Sequence, residues 1–192
     1  MDEILSKVQE EVRRRADLSG HSWFIERHVK LVVEDVEYIL DNEEAARGAN
    51  RDALMLAAWL HDMQRVDAPE KDDEHEKLGA EIAAEILSGF GAAPEVIESV
   101  TDCISCHSVR KRMPESIEAK ILSTADAMTH FSPDFFLSLL LYGIPPKDDV
   151  GEFKKWSLAK LEKDMSGGKM YFESARRKVA PMYEKLKAFF EA

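Results

Sequence analysis

Four of the chain's six histidines fall where helical spacing turns them toward a core. The densest stretch is Leu54–Arg65, which reads Leu-Met-Leu-Ala-Ala-Trp-Leu-His-Asp-Met-Gln-Arg. Leu54, Ala57, Ala58 and His61 follow i, i+3, i+4, i+7 spacing, so His61 belongs to the apolar stripe of a helix. Asp62 lies on the adjoining strip, next to Ala58 and Trp59. An aspartate at that depth is costly unless it is paired or bound to a metal. The pair is therefore either a core histidine bonded to a local carboxylate or two donors of a metal site.

The other histidines favour the second reading. His28 follows Phe24 and precedes Leu31, His75 leads into Leu78 and Ile82, and His107 follows Val100 and Cys103. Asp126 aligns with Ala119 and Leu122 in the same way. One buried histidine is usually satisfied locally. Four of them with two inward aspartates, on separate helices, are hard to satisfy as separate sites, and one metal centre accounts for all. Imidazole and carboxylate donors without thiolate suit Mn, Fe, Co, Ni or Zn, and with fewer histidines Mg.

The elements that must position these groups are all helical. Residues 2–17 read as a charged helix with Ile4, Val8 and Val12 inward, broken by Gly20. A long helix is expected from about His21 to Ala46, with Phe24, His28, Leu31, Val32, Ile39 and Leu40 inward. Asn50 or Asp52 can cap the helix that carries His61. Val66–Asp73 reads as a polar loop with Pro69. His75–Leu87 is helical with Leu78, Ile82 and Ile86 inward. Pro94 opens a helix at a favoured first position, and Pro114 opens the next. Ser132-Pro133-Asp134 starts a helix over Phe135–Leu141, which Gly143, Pro145 and Pro146 end. Two last helices fit Asp149–Asp164 and Lys169–Glu191, separated by Ser166-Gly167-Gly168. No strand alternation is evident. The expectation is an all-α single domain, a helical bundle with the metal site between helices.

The bulk properties narrow the function. A chain of 192 residues can bury a full core. Hydrophobic content of 45% and charged content of 33% fit a soluble globular protein. A net charge of -11 argues against nucleic-acid polymers and anionic membranes as partners. The N-terminus has no apolar signal region. The longest apolar run, near Phe135–Ile144, is too short to span a bilayer. With only two cysteines, a reducing, cytoplasmic setting is expected.

The motif set resembles the HD-domain superfamily of metal-dependent phosphohydrolases. The matching positions are His28 in Arg-His-Val-Lys-Leu-Val, His61-Asp62 in Trp-Leu-His-Asp-Met, and Asp126 in Ser-Thr-Ala-Asp-Ala-Met. The likeness covers about residues 21–131, with residues 1–20 as an N-terminal helix and 132–192 as C-terminal helices packed on the same domain. His75 and His107 resemble the extra histidines of HD proteins that hold two metals. The resemblance implies that His28, His61, Asp62 and Asp126 bind one divalent metal ion and that Asp62 bridges to a second held by His75 and His107. Asp62 would then be the central catalytic residue, and metal-activated water would attack phosphorus. Two subgroups are not supported. Met63-Gln64-Arg65-Val66 lacks the acidic pair of alarmone hydrolases, and Gly143-Ile144-Pro145 is not the Gly-Tyr-Pro motif of cyclic-di-GMP phosphodiesterases.

Other features have weaker readings. Arg110, Lys111 and Arg112 could form a phosphate-binding lip, with Lys77 and Arg65 as further candidates. The alternative is solvated loop charge. His130, one turn beyond Asp126, could reach the pocket or be structural, and His21 reads as a surface residue. Cys103-Ile104-Ser105-Cys106-His107 matches the haem-attachment string, but such attachment needs export, and His107 reads better as a metal ligand. The aromatic final segment packs within the chain or, where exposed, forms a homodimer interface. The expected function is hydrolysis of a small phosphorylated compound, a nucleotide among the candidates. The alternative is a non-catalytic metal- or ligand-binding HD regulatory module.

Overall fold

A computed structural model of the chain describes residues 1–67, 74–142, 149–166 and 168–192. Every regular element among them is helical. Helix α1 spans Asp2–Ser19 and buries Val8, Val12 and Ala16. It stops at Gly20, whose φ of 77° is left-handed and open to glycine without strain.

The helix expected from His21 to Ala46 runs without a gap from Ser22 to Asn42 but holds a π-turn and ends four residues early. α2 covers only Ser22–Phe24, a π-helical turn covers Ile25–Val29, and α3 runs Lys30–Asn42 before a short 3-10 turn at Glu44–Ala46. A π-turn accommodates one extra residue and rotates the helix beyond it. The inward set becomes Ile25, His28, Val29, Val32, Asp35, Val36 and Ile39, while Phe24, Leu31 and Leu40 are only half-buried.

α4, Arg51–Leu60, is the centre of the bundle: everything from Ala53 to Leu60 is buried. Asn50 caps it by accepting from the Ala53 N–H at 3.1 Å. The chain turns at His61-Asp62, and α5 follows over Met63–Asp67. The expected loop from Val66 is thus helical as far as Asp67, and Val66 is buried. Residues 68–73, Pro69 among them, lie outside the described residues.

α6 spans His75–Gly89 and presents His75, Glu76, Gly79, Ala83, Ile86 and Leu87 inward; of the expected stripe His75 and Ile86 are buried, while Leu78 and Ile82 are only half-buried. Gly79 explains the choice of face. A β-carbon there would sit 3.2 Å from the His61 carbonyl oxygen, so α6 approaches the His-Asp turn through a bare backbone. α7 spans Pro94–Cys106. α8 spans Ile117–Thr129 and begins after Ser116, which caps it, not at Pro114.

α9 (Pro133–Tyr142), α10 (Val150–Ser166) and α11 (Glu173–Glu191) complete the chain. Lys169–Phe172, expected to be helical, is not. Gly143, Pro145, Pro146 and Gly167 lie outside the described residues. α3, α7 and α8 surround α4, α6 lies along α7, and α11 packs on α10, α8 and α3. Lys178 of α11 bonds the buried Asp35 of α3 at 2.7 Å and lies 4.2 Å over the Tyr38 ring. No helix among the described residues is long and apolar enough to cross a membrane.

Candidate metal centre

The elements deliver their polar groups to one place. The π-turn carries His28, the α4–α5 turn His61 and Asp62, the start of α6 His75, the end of α7 His107, and α8 Asp126. All six are buried. They form two groups of donor atoms, each within 4.8 Å: His28, His61 and Asp126, and Asp62, His75 and His107.

Asp62 lies between the groups. Its Oδ2 is 3.4 Å from His28 Nε2 and 3.6 Å from His61 Nε2, while its Oδ1 is 3.5 Å from His107 Nε2. One carboxylate therefore offers a different oxygen to each group. Asp126 Oδ1 completes the first group, 3.5 Å from His28 Nε2 and 4.0 Å from His61 Nε2.

The hydrogen bonds at the far side of each ring fix its tautomer. His61 Nδ1 faces the Ala58 carbonyl at 2.9 Å, and His107 Nδ1 faces the Ile104 carbonyl at 2.7 Å. A carbonyl only accepts, so both Nδ1 atoms carry hydrogen. Thr129 donates its hydroxyl to the Asp126 carbonyl and thus accepts from His28 Nδ1 at 3.2 Å. In the neutral rings all three Nε2 atoms then present lone pairs inward. His28 Nε2 and His61 Nε2 lie 3.0 Å apart. Two lone pairs at that distance repel unless a proton or a cation stands between them. Burial, helped by the neighbouring rings, outweighs Asp62 and pushes His61 down to about 4, so a proton is disfavoured there. The donor set fits a divalent cation: neutral imidazoles anchored from behind and ionised carboxylates in front.

The carboxylates are ionised despite their depth. Burial alone would raise Asp62, but Arg65 and the histidines outweigh it and hold it well below the usual range. For Asp126 the same opposition is settled by Lys169, His130 and other histidines. His107 is shifted upward: burial lowers it, and Asp62 more than reverses that.

Sequence reading missed three groups that complete the surroundings. Lys169 Nζ donates to Asp126 Oδ2 at 3.0 Å and is buried. Asp164 Oδ2 lies 2.8 Å from His130 Nδ1, and Lys160 donates to Asp164 at 2.5 Å. His130 in turn points Nε2 at Asp126 Oδ1, 3.6 Å away. The sequence held one usable signal: Ser157, Leu161 and Asp164 share helical spacing and are all buried, an inward stripe ending in a carboxylate. Lys169, in a non-helical stretch after two glycines, gave none.

Among the basic candidates, Arg65 is at the site, its Nε 3.2 Å from Asp62 Oδ1. Arg112 is engaged by the Asp102 carboxylate at 2.6 Å and by Ser105 at 2.8 Å, which ties it to α7. Lys77 is exposed and faces Glu81 at 3.9 Å. Arg110 and Lys111 are exposed just beyond His107, where Val109 turns the chain at a φ of 60°. Cys103 and Cys106 are buried thiols, and His107 is committed to the donor cluster.

A helical bundle with a histidine, a His-Asp pair and a later aspartate around one centre is the HD architecture. The HD domain family model matches residues 20–129, and the chain belongs to that family. Two solved structures share the fold. One, described as a predicted HD-superfamily hydrolase from an uncultured Thermotogales bacterium, is 21% identical with a TM-score of 0.61, the match covering 100% of this chain and 89% of that one. The other, an HD-superfamily hydrolase from Bacillus thuringiensis, is 20% identical with a TM-score of 0.68, covering 99% and 94%. No curated protein is detectably similar in sequence.

Proposed function

We propose that the protein is a metal-dependent hydrolase of a small phosphorylated compound, with nucleotides among the candidate substrates. The observation that carries this reading is the pair of inward Nε2 lone pairs of His28 and His61, 3.0 Å apart and flanked by ionised Asp62 and Asp126. His28, His61, Asp62 and Asp126 would hold one divalent ion, and Asp62, His75 and His107 a second. A cation bound there supplies Lewis acidity and brings the pKa of water from about 16 toward roughly 7.

The chain's own residues account for the rest. Asp62 and Asp126 stay ionised and so serve as anionic ligands. Ala58, Ile104 and Thr129 hold the rings from behind. Arg65, Lys160 and Lys169 already neutralise Asp62, Asp164 and Asp126. Divalent ions therefore leave the pocket with surplus positive charge, which a phosphate dianion balances and a neutral ester does not. Arg65, about one-third exposed beside Asp62, is placed to meet that phosphate. Arg110 and Lys111 are further candidates at the rim. The net charge of -11 makes nucleic-acid polymers poor substrates, and a cytoplasmic setting agrees with the two thiols.

The test is a panel of phosphomonoesters, nucleotides and cyclic dinucleotides with Mn, Ni, Co or Mg added. Turnover should vanish with chelator and in His61→Ala. If no substrate exceeds the Asp62→Ala background while metal still binds wild type, the protein is a metal-binding HD module.

A further inference from the structure

We propose that Lys169, from the segment between α10 and α11, is a positioning residue of the metal centre: by holding Asp126 Oδ2 it restricts Asp126 to a single donor oxygen. The proposal rests on the metal-site reading above but does not depend on turnover.

Asp126 uses its two oxygens differently. Oδ1 faces His28, His61 and His130, while Oδ2 takes the Lys169 ammonium at 3.0 Å. The lysine side chain is only 8% exposed, so its bond to Asp126 does not compete with bulk water. Its backbone is strapped in place. The Lys169 carbonyl accepts from Thr124 Oγ1 at 2.8 Å, and Tyr171 N donates to the same hydroxyl at 3.3 Å. Arg176 of α11 donates to the Met165 and Met170 carbonyls at 3.0 and 2.7 Å, bridging the end of α10 to this segment. Thr124 and Asp126 are both on α8, so the strap and the ligand share one rigid element. An unanchored carboxylate can chelate a cation through both oxygens. With Oδ2 taken, one coordination position stays open for water or substrate.

Affinity alone does not diagnose this role. Removing the ammonium deletes a charge that repels the cation and also an anchor that orients its ligand, and these act in opposite directions. Coordination number is the readout, and Co(II) reports it, because its visible bands weaken as coordination rises. Lys169→Met is matched in length but neither charged nor a donor, and Lys169→Arg keeps both properties. Each protein is titrated with Co(II) to saturation, with helix content checked by circular dichroism. The expected result is weaker visible bands in Lys169→Met and a spectrum close to wild type in Lys169→Arg. Superimposable wild-type and Lys169→Met spectra at full occupancy overturn the proposal. If Lys169→Met does not fold, a crystal structure of Mn(II)-soaked wild type decides. Asp126 bound through Oδ1 alone with Lys169 on Oδ2 supports the role, and chelation through both oxygens ends it. A wild-type protein that takes up no Co(II) or Mn(II) instead refutes the metal-site reading itself.

Discussion

At the scale of single residues, Asp62 carries the most. It meets His28 and His61 through one oxygen and His107 through the other. Asp62→Asn keeps the shape but places an amide nitrogen, which is no ligand, at one of those positions. We expect it to lose most bound metal from both groups, while His107→Ala loses about one equivalent; elemental analysis of protein purified without chelator reads both. Equal metal content in wild type and Asp62→Asn contradicts the bridging role. Arg65→Ala should raise KM more than it lowers kcat, because it removes binding to the phosphate. The steady-state constants for any substrate found in the panel test this.

At the scale of elements, the close approach of α6 to the His-Asp turn depends on Gly79. In Gly79→Ala the new methyl meets the His61 carbonyl oxygen at 3.2 Å. Backbone cannot yield as a flexible side chain does, so α6 must shift. A cost of about 1–3 kcal/mol is expected, or a fall in Tm of roughly 2–4 °C per kcal/mol for a chain of this size. His75 starts the same helix, so the second metal equivalent should weaken as well. A thermal melt and a metal titration of the variant check the two effects, and an unchanged Tm would falsify the packing argument.

At the scale of the whole molecule, the centre is also part of the core, so its ionisation is linked to folding. Burial pushes both His61 and His130 down to about 4 from an ordinary 6.5. The unfolded chain therefore binds more protons between these limits, and stability falls as pH drops from about 6.5 to about 4. Each shift corresponds to about 3 kcal/mol when complete. His107, shifted upward, works in the opposite sense. Burial also lowers His75, and three depressed histidines against one raised predict a net loss for the metal-free protein. Asp62 and Asp126, held low, add their loss only below the ordinary carboxylate range. Chelator-treated protein should lose Tm progressively below pH 6.5; a flat profile down to pH 4 would contradict the burial of these rings. Bound metal should stabilise the fold at neutral pH by about 4 kcal/mol when present at a thousandfold over Kd. That is a difference in Tm of about 10 °C between loaded and chelated protein.

The sequence alone determined the helical class and the inward turn of four histidines and two aspartates. Amphipathic spacing marks His28, His61, His75, His107 and Asp126 as inward groups on separate segments, because a 3.6-residue period assigns a face without knowledge of any partner. It also narrowed the cap to Asn50 or Asp52, of which Asn50 serves, and placed the Pro94 start, which are local hydrogen-bonding and steric matters. What lay outside its reach depends on contacts between distant segments. The π-turn at Ile25–Val29 offers no local pattern, yet His28 sits within it and its Nδ1 meets Thr129. The inward face of α6 was decided by Gly79 against His61, a fit of two backbones that hydrophobicity does not encode. Arg112, close to His107 in sequence, is engaged by Asp102, whereas Lys169, more than sixty positions from His107, stands on Asp126. Only the packed chain decides which opposite charges meet. The energy of a buried ion pair depends on separation in space and on exclusion of water, and sequence distance fixes neither.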